Sequence, residues 1–375
     1  MTIFLVGDFN ADRKEALRLA VMRADEEPVF CRDGDAARAS LAEPDLPIPR
    51  CVYVDASVPR AEGLVAWMRG AVHLFSVPVV AIVPSLDDHA FVEAHAYGAD
   101  DVIVAGDDAG MTVRVENLRD FDPSVRQPMT QGSVVVAHAT ATRRKLVGRI
   151  LRQAGFDVSF AADEGELMSA ASMGNPRLIV ASEPLLSAGG LATVEQLLRT
   201  IGTDAPGVIL LAEAKEVEPL RRGTRALSGV AVSSEHAPPD NLLFLANELL
   251  RPDVKNLRSS PRVLYGAVCS IRAAGTRTCV HGLSYNISGE GLFVRTLASP
   301  SSPCAVWLEL TPPGRDRIVH LRGHIVWRRG LATGAGGATP PGCGIRLDLP
   351  DSPPGDREIY LAAYEELLGG ERRAA

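Results

Sequence analysis

The sequence predicts two α/β domains, each built on a doubly wound parallel sheet, followed by a small antiparallel β-barrel with a C-terminal helix. Three observations predict this. An apolar strand, a turn and a helix-periodic stretch at residues 3–24 recur at 134–154, so one plan is used twice. Short continuous apolar runs alternate with helical patterns through both copies, the mark of buried parallel strands. After residue 252 the runs shorten, alternate with polar residues and are separated by Pro/Gly/Ser loops, the pattern of an antiparallel barrel.

The elements follow in order. Residues 3–6 form a buried strand, Gly7, Asp8, Phe9 and Asn10 a turn, and 13–24 a helix, with further strands at 51–54, 78–83 and 102–104. In the second copy, 134–137 is a strand and 143–154 an amphipathic helix capped by Gly155. Strands follow at 156–160, 178–180 and 208–211. The third segment carries strands at 263–270, 292–295, 305–310, 319–327 and 343–347, and a helix at 356–368. Phe293, Trp307 and Trp327 alternate with polar neighbours on these strands, which predicts core packing for all three. Boundaries at 122–132 and 251–253 divide the chain into domains 1–122, 132–251 and 252–370. The glycine-rich run 334–337 lacks a following Lys-Ser/Thr, so it reads as a flexible hairpin tip and not a phosphate-binding loop.

Composition narrows the function. The 375 residues are 46% hydrophobic and 23% charged, enough to fill ordinary cores, and the net charge of -7 excludes general binding of a nucleic-acid backbone. The charge is uneven. Residues 1–125 hold 22 acidic and 11 basic side chains, 126–252 hold 13 of each, and 253–375 hold 11 acidic and 15 basic, so an anionic ligand belongs in the last third. Only four lysines stand among the 39 basic residues. No apolar run approaches the roughly 18 residues of a membrane span, and the N-terminus lacks a basic leader region, so no membrane insertion is expected. The six cysteines are scattered without a CxxC pair, as buried hydrophobes of a reducing compartment, which places the protein in the cytoplasm.

The first copy resembles the receiver domain of bacterial response regulators, a flavodoxin-like fold. Gly7 and Asp8 stand where that family has an acidic pair. Asp55, with Pro59 four on and Gly63 eight on, fits the phosphoacceptor segment, and Gly98-Ala99-Asp100-Asp101 fits the turn into the last strand. The family's chemistry needs an acid cluster for magnesium, a nucleophilic aspartate, a hydroxyl and a lysine. Here Gly7 replaces one acid, Val83 the hydroxyl and Ala105 the lysine, and no lysine lies between Lys14 and Lys145. The resemblance therefore implies a receiver-shaped module that no longer takes phosphate. The alternative keeps Asp55 as phosphoacceptor, Asp8 and Asp55 as magnesium ligands, and the barrel as output. The second copy is stripped further, with Ala137 and His138 at the acidic pair, Ser182 at the acceptor and Ala212 at the hydroxyl position. His138 there reads as a turn or packing residue.

In the third segment, Arg258-Ser259-Ser260-Pro261-Arg262 precedes the first strand, and Asn286-Ile287-Ser288-Gly289-Glu290-Gly291 precedes another. Pro261 disfavours a helix, so residues 255–262 are expected to form a mobile arm. This R-x-x-x-R with N-x-S-x-x-G, together with Gly323-His324-Ile325-Val326-Trp327 and Gly342-Cys343-Gly344-Ile345, resembles the PilZ family, which binds cyclic di-GMP. The resemblance implies that Arg258 and Arg262 clamp the dinucleotide while Asn286, Ser288 and the Gly291 turn receive a guanine. Arginine's planar fork suits both phosphate and the guanine edge.

The expected protein is thus a non-catalytic bacterial signalling effector with no cofactor beyond its ligand, cyclic di-GMP. Its receiver-like domains would dock an unidentified protein partner or form a homodimer, with no nucleic-acid polymer involved. Ligand would order the arm and change how the barrel sits against the second receiver-like domain. A barrel that binds protein and no nucleotide is the other alternative.

Overall fold

The chain is described by a computed structural model that covers every residue except 44–45, 126–127, 202–204, 252–259, 332–338 and 375, and the side chains of 200–201 and 370–374. The first domain runs β1 (Thr2–Val6), α1 (Ala11–Met22), β2 (Glu27–Cys31), α2 (Gly34–Leu41), β3 (Cys51–Asp55), α3 (Ala61–Gly70), β4 (Val79–Val83), α4 (Asp88–Ala96), β5 (Asp101–Val104) and α5 (Asp108–Asn117). Its five strands are parallel in the order β2-β1-β3-β4-β5, the flavodoxin-like arrangement. The strands are apolar throughout because helices cover both faces. Leu17, Val21, Met111 and Val115 pack on one face, and Ala37, Leu41, Leu64 and Met68 on the other. Asn10, Asp33, Asp87 and Asp107 each accept a hydrogen bond from an amide of the helix they precede, which sets where four of these helices begin. The pattern did not show β2, because it contains Glu27 and Pro28; it is an edge strand, where proline's missing N–H is tolerated.

The second domain repeats the plan with β6 (Gly132–Ala137), α6 (Ala141–Gln153), β7 (Phe156–Ala161), α7 (Glu164–Gly174), β8 (Leu178–Ser182), α8 (Gly190–Ile201), β9 (Gly207–Ala212), α9 (Ala214–Thr224), β10 (Val230–Ser234) and α10 (Asn241–Leu250). The strand order, β7-β6-β8-β9-β10, is that of the first sheet.

The third part comprises β11 (Val263–Leu264), β12 (Val268–Ala273), β13 (Cys279–Ser288), β14 (Gly291–Arg295), β15 (Cys304–Leu310), β16 (Val319–Arg329), β17 (Gly342–Leu347) and α11 (Pro354–Ala374). Strands β13-β12-β15-β16-β17-β14 follow one another, and a β13–β14 pairing closes the ring. Ile271, Ile287, Val294, Leu308, Leu321 and Ile345 fill it, and Tyr360, Tyr364 and Leu368 of α11 join that core. The single strand expected at 263–270 is two strands. The Ser284 hydroxyl comes between them, accepting from the Ala267 amide at 2.9 Å and donating to the Tyr265 carbonyl.

The first α/β domain and the barrel form one compact unit (Met1–Arg126, Ser260–Thr333 and Pro341–Leu368); the second α/β domain belongs to another. The join inside the first unit is a buried ion pair. Arg114 Nε donates to Asp101 Oδ2 at 2.7 Å, with the side chains 0% and 1% exposed. The same oxygen accepts from the Leu297 amide at 2.6 Å, while Arg114 Nη2 donates to the His281 carbonyl at 2.8 Å. Asn117 donates to the Leu297 carbonyl at 2.8 Å, and Asp88 accepts from the Val268 amide. Leu283 of the barrel packs with Val83, Phe91 and Val102. Within its unit the barrel therefore seats on the α4–β5–α5 side of the first receiver-like domain. The reason is that Asp101 and Arg114 cannot be buried unpaired, and the barrel's backbone supplies what their remaining donors and acceptors need.

Candidate ligand-binding site

Strands β13 and β14 form a hairpin whose tip is Gly289-Glu290. Asn286 and Ser288 are the last polar residues of β13 and both are buried. Ser288 Oγ donates to the Gly291 carbonyl at 3.0 Å, and Tyr360 from α11 donates to the Ser288 carbonyl at 2.8 Å. Burial pushes the Tyr360 phenol above its usual range, which keeps it a donor. Antiparallel pairing of Val263 with Ile287 and Leu264 with Asn286 sets Arg262, one residue back, across from Ser288. Arg262 is exposed.

The arm is held where it is described. Ser260 Oγ accepts from the Gly289 amide at 2.8 Å and lies 3.1 Å from the Tyr364 hydroxyl, which donates to the Pro261 carbonyl at 2.9 Å. The mobile arm expected over 255–262 is therefore clamped at its C-terminal end. Arg258 lies outside the described residues, as does the run 334–337. Arg262, Asn286, Ser288 and Gly291 meet at one end of the barrel.

The motif glycines have a reason beyond any ligand. A Cβ on Gly291 would stand 2.3 Å from the Ile345 carbonyl oxygen, so β14 and β17 approach only with glycine there. A Cβ on Gly344 would meet the Trp327 indole at 2.3 Å, and one on Gly323 the Arg346 carbonyl at 2.6 Å. The expectation that Phe293, Trp307 and Trp327 all pack in the core holds for Phe293, 3% exposed, but not for Trp307 and Trp327, 38% and 36% exposed. Val306, Leu308 and Leu310 take the inward positions of β15, which turns Trp307 outward. A bulge between Ile325 and Trp327 turns Trp327 outward as well. Its ring stacks on Phe293 at 5.0 Å. Register aligns Asn286, Phe293, Gly344 and Trp327 in one cross-strand row.

The acid pockets of the two α/β domains are differently occupied. In the first, Asp55 Oδ1 accepts from the amide and hydroxyl of Ser57 at 2.9 and 2.6 Å. Phe9 lies over Gly7 so closely that a Cβ there would be 2.4 Å from its ring, and its side chain belongs to the core. Val83 is buried among apolar residues and Ala105 offers no cation. In the second, Ser182 Oγ donates to Glu235, whose Oε1 is 3.5 Å from His138 Nε2, and His138 Nδ1 accepts from the Thr140 amide at 2.9 Å. Burial, partly offset by the Glu235 charge, holds the His138 imidazole below its ordinary range. Among the described residues, no three His, Cys, Asp or Glu side chains gather as a metal site, and no helix is long and apolar enough to cross a membrane.

Residues 256–362 match the PilZ domain family. This segment is a PilZ domain. The family binds cyclic di-GMP, and the barrel's closed strand order and clamped N-terminal arm are the setting in which the match falls. No curated protein matches the chain. Among solved structures, the chain is similar to the Bacillus subtilis inhibitor of motility MotI/DgrA, with 17% identity over 29% of this chain and 50% of that one and a TM-score of 0.24. The chain thus spans half the length of that protein. It is also similar to the signal receiver domain of a histidine kinase from Syntrophus aciditrophicus (23% identity, 33% and 96% of the two chains, TM-score 0.29). A third is the bacteriophytochrome response regulator AtBRR (22% identity, 31% and 90%, TM-score 0.27).

Sequence reasoning reached the PilZ motif but missed what supports it. Ser260, Tyr360 and Tyr364 fasten the arm and the turn of the PilZ domain. The repeat of tyrosines four residues apart on a helix, one face of it, was the available signal. Glu235, which completes the Ser182–His138 cluster, lies after a strand that the apolar pattern did not show.

Proposed function

We propose that the PilZ domain binds cyclic di-GMP and that the chain relays this without catalysis, as a signalling effector acting through protein contacts. The observation that carries the reading is the pairing of β11 with β13, which sets Arg262 across from Ser288 and fastens Ser260 to the Gly289 turn. Arg262 thus stands at the same end of the barrel as Asn286, Ser288 and Gly291, which supports a shared ligand. Arg262 is exposed, and a guanidinium suits a phosphate or a guanine edge; Arg258 is the other arginine of the motif, and Asn286 offers both donor and acceptor. The exposed Trp327 lies in the row of Asn286 and offers a π-face to a base. The relay runs toward the first receiver-like domain, because β13 carries Asn286 and Ser288 at one end and His281 and Leu283, which hold that domain, toward the other. Phosphorylation of Asp55 has little support where Phe9, Val83 and Ala105 stand.

Calorimetric titration of cyclic di-GMP into the full chain tests the reading. Saturable binding is expected, weakened about 1–3 kcal/mol, or roughly tenfold to a hundredfold, by each of Arg258→Ala, Arg262→Ala and Asn286→Ala. No heat from folded protein would leave a ligand-free protein-binding barrel. For the relay, hydrogen exchange in β5 and α5 should slow with ligand; unchanged exchange there would sink it.

A further inference from the structure

The outer face of β12, β15 and β16 carries a second recognition surface, well apart in register from the motif end. Arg272, Trp307 and Arg322 are directly paired across three strands, and Arg346 stands one row on, opposite His324. All four of Arg272, Trp307, Arg322 and Arg346 are exposed. The Arg322 guanidinium lies 4.3 Å from the centre of the Trp307 ring, which fixes an indole that would otherwise turn freely in water. The face also holds two carboxylates, and each has a histidine for company. Glu309 lies 3.6 Å from His320, and Asp348 lies 2.5 Å from His324. Among the described residues, none of the three arginines forms an ion pair, so the face presents three unpaired guanidinium groups around one exposed aromatic ring.

We infer that this face docks an acidic segment of a partner protein, one in which carboxylates flank an apolar or aromatic side chain. The guanidinium groups would take the carboxylates bidentately, and the free face of Trp307 would take the apolar side chain. Tryptophan and arginine set together are the composition of an interface hot spot. The barrel is closed here, with β12, β15 and β16 each paired on both sides, so a partner finds no strand edge and must be read through side chains. A nucleic-acid strand fits worse, because Glu309 and Asp348 sit among the arginines where a continuous phosphate backbone would pass. The inference does not depend on cyclic di-GMP binding.

Fluorescence anisotropy of the full chain tests it, using a fluorescein-labelled 12-residue peptide with one phenylalanine between runs of glutamate. A lysine-for-glutamate peptide and a labelled twelve-nucleotide dT strand serve as comparisons. The acidic peptide should bind saturably and weaken with added salt. Trp307→Ala and Arg322→Gln should each loosen it by about tenfold, the scale of one hot-spot contact, and Asn286→Ala should leave it unchanged. Arg322→Gln keeps the test alive should Trp307→Ala fail to fold. Absence of binding, equal binding of the lysine peptide, or affinity indifferent to both substitutions would overturn the assignment. Tighter binding of dT would overturn it in favour of a nucleic acid.

Discussion

The two parallel sheets share a strand order and differ at one matching point. Val80 on the fourth strand of the first sheet faces Asp101; Ile209 at the matching place of the second sheet faces Ala231. Likewise the seventh residue of α5 is Arg114, where α10 has Asn247. Arg114 and Asp101 are buried against each other and against barrel backbone. Asn247 donates to the Leu243 carbonyl of its own helix. One fold thus becomes a partner-specific platform through two charged residues whose burial a particular neighbour satisfies, while its copy places a neutral alanine and asparagine at the matching points.

The largest expected effect attacks that difference. Asp101→Ala or Arg114→Ala leaves a buried charge without its counterpart and should cost about 3–5 kcal/mol, read from the exchange of barrel amides under urea. Replacing both by leucine should recover only part of the loss, since the orphaned charge is gone but the Leu297 amide loses its acceptor and the His281 carbonyl loses a donor. Next, Gly291→Ala forces a methyl onto the Ile345 carbonyl and should cost about 1–3 kcal/mol, with loss of the β14–β17 amide protection. Asn247→Ala, the second domain's counterpart of the first test, should cost only about 0.5–1.5 kcal/mol. A loss as large as that of Arg114→Ala would dissolve the contrast.

Acid sharpens the comparison further. Burial, then the Arg295 charge, holds His95 well below its ordinary 6.5, and burial also lowers His281 in the same unit. The unfolded chain takes up these protons below about 6.5 while the folded unit resists them. Stability is therefore fully present above 6.5 and falls as pH drops beneath it. In the second domain Glu235 offsets part of the effect at His138, so the decline should be shallower. His95→Gln should flatten the pH dependence of the first unit, followed by thermal melts between pH 5 and about 7; an unchanged slope would remove His95 from the account.

Much of this was legible because repetition and periodicity are local. Buried parallel strands such as Val79–Val83 are apolar at every position, and the barrel's alternation showed most of its strands. The motif glycines were legible too, although their reason lay in strand approach at Ile345 and Trp327. What stayed hidden depends on neighbours far along the chain. Asp101 and Arg114 look like ordinary surface charges until residues near 281 and 297 arrive. Trp327 reads as inward-facing until a bulge shifts the count.

Strand β13 shifts its count as well, between Ser284 and Asn286. That single extra residue has a lasting implication for how the gene can vary. Each residue in a strand alternates sides, so deleting or adding one between Leu283 and Asn286 would swap inward and outward positions for everything beyond it. The join to the first domain and the motif end could not both survive such an edit. Side chains along this stretch can drift through substitution, but its length is frozen, and a lineage that changed it would have to give up one of the two attachments.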